Sequence, residues 1–179
     1  MSPQISFFIV NVIGGIAVLG SYAMGIGFFP EYRDDLWGGV QGRWKTALTV
    51  SMLLAATGYI TFCYFALTRD SGYFFGSGVF LGEYFVPVIT AVFLLTAALW
   101  MPATITYMHT NDQIWWFITV GLLWATAVSL VILTATVSLS ESASISYTEK
   151  MVSMAGLLLI TAHCLFMDAV TWVQLFHRH

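Results

Sequence analysis

Residues 5–29 read ISFFIVNVIGGIAVLGSYAMGIGFF, 25 residues without a charge. A bilayer's hydrocarbon core is about 30 Å thick, and a helix rising about 1.5 Å per residue needs roughly 20 apolar residues to cross it. Four further runs reach that length, at 46–67, 85–107, 114–139 and 151–176, and none of the five contains Lys or Arg. Backbone polar groups in lipid must be satisfied within the spanning structure, as in a helix or a closed barrel. Long unbroken apolar runs lack the alternation of barrel strands. The sequence therefore predicts an all-α, polytopic membrane protein, a bundle of five transmembrane helices forming one domain over 1–179.

Composition agrees. Hydrophobic residues make up 59% of the chain and charged residues 8%, with a mean hydropathy of +0.83. A soluble domain carries about 25% charged residues, so lipid must cover most of this surface. Net charge is −3 with six Lys and Arg and no basic stripe, which speaks against nucleic acid as a partner. No basic segment precedes the first run, which is also long for a signal peptide, so it is read as retained. Cys63 and Cys164 each fall inside an apolar run and form no CxxC pair. They read as buried structural thiols.

Loop 1, PEYRDDLWGGVQGRWK at 30–45, is the longest clearly polar connection. Loop 2, TRDSGYFFGSGVFLGEY at 68–84, is rich in aromatics and glycine and should lie in the membrane interface. Loop 3 (108–113) is a tight turn, and loop 4 (140–150) is Ser-rich and acidic. Loop 1, loop 3 and the C-terminus share one side and carry Arg33, Arg43, Lys45 and Arg178, against Arg69 and Lys150 on the other. The excess places the N-terminus outside and the C-terminus inside. No internal repeat suggests an inverted-repeat transporter. In the first run Ala17, Ser21 and Gly25 recur every four residues beside Gly14 and Gly15. Such a small-residue face packs against another span of the chain or against a second copy.

Ionisable groups inside a span are costly and mark functional candidates. Two stand clear, His163 and Asp168, both on the fifth run. At about 100° per α-helical residue they lie about 140° apart, so no simple His–Asp dyad is expected. Counting from helix ends puts Asp168 level with Ser21, Tyr22, Trp100, Pro102 and Trp124, and His163 level with Tyr59 and Thr96. Two polar and aromatic layers in an apolar bundle have the make-up of a small-molecule site. Buried hydrogen bonding is the structural alternative for both groups. A lone intramembrane His could also ligate a tetrapyrrole.

The third run contains LWMPATITY at 99–107, where Pro102 removes a backbone donor and a kink beside Trp100 would open room for a ligand. Of seven Trp, Trp37, Trp44, Trp115 and Trp116 fall near predicted interfaces, as an aromatic belt would, and Trp100, Trp124 and Trp172 fall deeper. His177 and His179, or His109 with Asp112, have no metal-site spacing. GGVQG in loop 1 lacks a phosphate loop's Lys-Ser/Thr ending, and no nucleophile elbow or dinucleotide fingerprint occurs.

Five spans, a first helix starting almost at residue 1, a long Trp-containing first loop, Gly58-Tyr59 in the second helix and Trp100 closely followed by Pro102 in the third form one outline. It resembles the tryptophan-rich sensory protein family, also called translocator or peripheral benzodiazepine receptor proteins. Loop 1 differs in holding only Pro30, Ala98 and Leu99 stand where an Asn is expected, and the fifth run lacks a Pro-Tyr opening. The resemblance implies a pocket under loop 1 for porphyrins or sterols, with Trp37, Trp44, Tyr59 and Trp100 as carried-over positions.

The expected function is therefore non-enzymatic binding of a small hydrophobic ligand, porphyrin- or sterol-like, between the helices. The candidate residues are Trp37, Trp44, Tyr59, Trp100, Trp124, His163 and Asp168. Alternatives are a structural accessory subunit associating with other membrane subunits or with its own copies, a lipid or sterol enzyme using Asp168 and His163, and a proton or ion pathway.

Overall fold

Several helices begin or end where the sequence supplies a partner for loose backbone groups. In the computed structural model, which describes residues 1–69, 71–76, 82–140 and 145–176, α1 spans Pro3–Phe28. Ser2 caps it by accepting from the Ile5 amide, and Pro3 opens it. α2 spans Arg43–Thr68, and the short α3 covers Ser71–Phe75. α4 spans Phe85–Thr110 and ends on Asn111 in the left-handed region. Asp112 then caps α5, Gln113–Ser138, through the Ile114 amide. α6, Tyr147–Ala162, starts on a reciprocal capping box between Ser146 and Glu149. It continues as a π-helix, His163–Trp172, and closes with one turn, α7, Val173–Leu175.

The five expected spans are present: α1, α2, α4, α5 and the fifth span formed by α6, the π-helix and α7. Among the described residues there is no strand. α4 runs through Pro102 without ending. Residues 70, 77–81 and 141–144, with parts of loops 2 and 4, lie outside the described residues, as do His177, Arg178 and His179.

Close backbone approach sets the bundle order. α1 packs on α4, α4 on α5, α5 on the fifth span, and the fifth span on α2, while α1 and α2 make few contacts. Gly58 of α2 faces Gly156 of α6 so closely that a Cβ on Gly58 would lie 2.7 Å from the Gly156 carbonyl oxygen. On α1 the small residues serve packing within the chain. A Cβ on Gly14 would strike Leu94, and one on Gly25 would meet Met101 and Ile105. Hydroxyl pairs tie the interior at 2.8 Å, Thr96 with Thr126 and Thr134 with Thr161.

Residues 73–75 of loop 2 pack against the helices. Tyr73, Phe74 and Phe75 are all buried, with Phe75 edge-on to Phe7 and Phe74 edge-on to Phe62. At that end Arg69 Nε lies 2.7 Å from Glu149 Oε1 and Lys150 lies over the Tyr73 ring.

Candidate functional site

The fifth span holds both intramembrane ionisable groups, and its winding decides their relation. An α-helix would turn His163 and Asp168 away from each other. Here the ten residues His163–Trp172 are π-helical, which stacks residues five apart on one face. The Thr171 hydroxyl accordingly donates to the Phe166 carbonyl five residues back. His163 Nε2 lies 3.4 Å from Asp168 Oδ1. The expected 140° separation is thus corrected: it assumed α-helical winding where the chain adopts another.

The second partner of His163 comes from α2. Gly58 meets Gly156, and seven residues along each antiparallel helix Ser51 Oγ meets His163 Nδ1 at 2.8 Å. The Ser51 hydroxyl and the His163 Nδ1 share a hydrogen bond whose donor is set by the ring's tautomer, and Nε2 faces Asp168 at ion-pair distance. Both ring nitrogens of His163 thus have a polar neighbour within the chain.

Tyr59 therefore does not share the level of His163. It stands eight residues from Ser51, about 12 Å along the helix axis. Its hydroxyl donates to Asn11 Oδ1 at 2.6 Å, and the Cys63 thiol also reaches Asn11. Counting from helix ends assumed a common starting plane, whereas the Gly58–Gly156 contact fixes the register. Asn11, an uncharged amide in an apolar run, was legible as a polar interruption but is not ionisable.

Asp168 faces a cavity of about 130 Å³. Tyr22, Trp37, Met52, Trp100 and Trp172 form much of its wall, and Arg33 stands at the loop 1 side. The Asp168 side chain is 31% accessible and that of His163 only 6%, so the carboxylate meets the cavity and the imidazole backs it. Tyr22 stands edge-on to Trp100, and Trp100 edge-on to Trp172, with ring centroids 5.7 and 5.6 Å apart. The wall is thus aromatic and aliphatic surface with one carboxylate, one phenol and the Arg33 guanidinium. Such a wall can hold an apolar ring and orient one donor group.

Loop 1 roofs the cavity. Its turns Pro30–Tyr32 and Asp35–Trp37 are followed by Gly38 at φ 56°, a conformation that favours glycine. Gly38 lies against Phe176, and the Gly39 amide donates to the Leu175 carbonyl. Trp172 Nε1 donates to the Leu36 carbonyl at 2.9 Å. The Arg33 guanidinium donates to the Ile26 carbonyl at the end of α1.

Of the expected site residues, Trp37, Trp100 and Asp168 meet at this cavity and His163 supports it. Trp44 is 58% exposed and Trp124 43% exposed, both turned away from it. Depth alone placed Trp124 beside Asp168, but its side of α5 faces outward. Trp116, expected in the interfacial belt, is fully buried and stacks on Phe176 at 4.9 Å. Met52, Leu48 and Ile26 were unremarkable apolar residues in the sequence, and only the register brings them to the cavity. Compared with protein-family models, with curated proteins and with solved structures, the chain matches none.

Proposed function

We propose that this integral membrane protein binds a small hydrophobic ligand in the Asp168 cavity, without turning it over. The observation that carries this is a single carboxylate, buttressed by His163 and Ser51, set in an aromatic wall beneath loop 1. A cavity of about 130 Å³ accepts one ring, not a whole macrocycle. α1 and α2, which both line it, make few contacts with each other. A slender molecule can seat its polar ring against Asp168 and leave its body between α1 and α2, in the lipid. That favours a sterol-like ligand with a hydroxyl donor over a porphyrin, which would need α1 and α2 to part. It keeps the binding mode implied by the translocator resemblance while narrowing the ligand.

The fluorescent sterol dehydroergosterol tests this through energy transfer from tryptophan. Saturable transfer that weakens in Asp168→Ala supports the site. Transfer that only rises in proportion to sterol in the micelle overturns it. The excess of Lys and Arg on the loop 1 side further supports an outside N-terminus and an inside C-terminus. Single cysteines at positions 34 and 147, labelled from one side of sealed vesicles, test that orientation.

The His163–Asp168 contact favours a second reading, an acid–base enzyme on lipids or sterols, since the pair is adjacent. Asp168→Asn separates the two. It abolishes turnover by an acid–base pair, whereas a binding site keeps an amide acceptor and most of its affinity.

A further inference from the structure

Two helix pairs in the bundle are packed at close range. A Cβ at Gly14 or Gly25 of α1 would strike α4, and Gly58 of α2 meets the Gly156 backbone of α6. The two pairs are joined through α5 and the fifth span, whereas α1 and α2 make few contacts with each other. The α1–α2 seam is thus the least packed line between neighbouring spans, and its two halves differ.

Towards loop 2 the seam is closed. Gln4 Nε2 donates to the Arg69 carbonyl at 3.2 Å, and Phe7 stands edge-on to Phe62 with ring centroids 5.9 Å apart. One turn further along α1, Asn11 Oδ1 accepts from the Tyr59 hydroxyl at 2.6 Å and from the Cys63 thiol at 3.4 Å. The Asn11 Nδ2 donates to the Phe7 carbonyl of its own helix at 2.8 Å, which leaves Oδ1 to face α2. The Tyr59 ring also stands edge-on to Phe93 of α4, so the link reaches both pairs. Towards loop 1 the seam gives way to the Asp168 cavity, lined by Tyr22 and Ile26 of α1 and by Leu48 and Met52 of α2. Among the described residues no hydrogen bond joins α1 to α2 on that side of Asn11.

We infer that Asn11 is the clasp of a lateral opening. Its bond to Tyr59 limits how far α1 and α2 part over the loop 1 half, and so how fast a ligand passes between the bilayer and the Asp168 cavity. The effect on ligand exchange rests on the proposed reading of that cavity as a binding site, and the helix motion does not. Lipid tails are as apolar as the side chains they meet, so no hydrophobic force holds two spans together. Close packing and polar bonds do so instead. The seam has little of the first, and Asn11 supplies the second at the point where the cavity begins.

Pulsed electron spin resonance in lipid nanodiscs reads the opening without a ligand. The labels sit at Ala23→Cys on α1 and Val50→Cys on α2, both exposed on the loop 1 half, in a Cys63→Ala, Cys164→Ala parent. Asn11→Leu and Tyr59→Phe should each raise the ratio of long to short distances about threefold, the effect of losing one hydrogen bond within a membrane. Tyr59→Phe keeps its ring against Phe93 and so guards against misfolding of Asn11→Leu. Thr57→Val, which removes an exposed hydroxyl bonded within α2, should leave the ratio unchanged. With the native cysteines, stopped-flow energy transfer to dehydroergosterol should show association and dissociation both about threefold faster in Asn11→Leu, at unchanged Kd. A residue that touched the ligand would alter Kd instead. Distances that are the same in the parent, Asn11→Leu and Tyr59→Phe overturn the clasp. Longer distances with unchanged exchange rates overturn its control of the ligand. Longer distances in a chain without saturable transfer uphold the clasp and overturn the ligand reading.

Discussion

Asp168 Oδ1 lies 3.4 Å from Nε2 of His163, five residues back on the same helix, and π-helical winding puts it there. Ser51 of α2 holds the other ring nitrogen at 2.8 Å. Ser51, His163 and Asp168 thus form a chain from the α2 interface to the cavity wall. Removing either outer member should loosen the imidazole. Ser51→Ala and Asp168→Ala, singly and together, should show a coupling of about 0.6 kcal/mol, the usual size for polar contacts within membranes, in reversible unfolding. Strict additivity would mean that His163 transmits nothing between them.

Gly58 and Gly156 hold α2 and α6 at backbone distance, and that contact also sets the Ser51–His163 register. Ala at either position meets backbone that cannot swing aside. Gly58→Ala should cost about 1–3 kcal/mol, as overpacking does. Gly15→Ala, with nothing within 4 Å of the added carbon, should change stability by less than about 1 kcal/mol. Thermal melts of the two variants in one detergent compare them directly.

Five spans, their limits to within a few residues, and the intramembrane His and Asp follow from uncharged runs alone, because transfer into lipid penalises charge so strongly. Of the four positions the resemblance carries over, Trp37 and Trp100 line the Asp168 cavity, and Trp44 and Tyr59 do not. Adjacency was not legible. No local signal in HCLFMDAVTW announces π-helical winding, and α-helical geometry sent His163 and Asp168 to different faces. Depth counting likewise could not tell the inward side of α4, which holds Trp100, from the outward side of α5, which holds Trp124. The register came from two glycines whose meeting is a tertiary fact.

Loop 1 is held over the cavity from the fifth span. The indole of Trp172 donates to the Leu36 carbonyl, and the Leu175 carbonyl receives the Gly39 amide. Trp172→Phe keeps an aromatic ring in the wall but removes the indole donor. Hydrogen exchange over residues 36–39 should accelerate about fivefold, matching loss of a hydrogen bond worth about 1 kcal/mol. Exchange at residues 146–150, on the opposite membrane face, should not change. Equal exchange over 36–39 in both proteins would mean that loop 1 is fixed by other contacts.

The most direct measurement of the central claim is dehydroergosterol titration of the purified full chain, followed by energy transfer from tryptophan. Wild type should show saturable transfer. Asp168→Ala should bind about tenfold more weakly, as expected when a buried ligand hydroxyl loses its hydrogen-bond partner. Met52→Phe, which fills the cavity from the α2 wall, should lose saturable transfer while keeping its thermal midpoint. Non-saturable transfer that is the same in all three proteins would contradict a ligand site at Asp168.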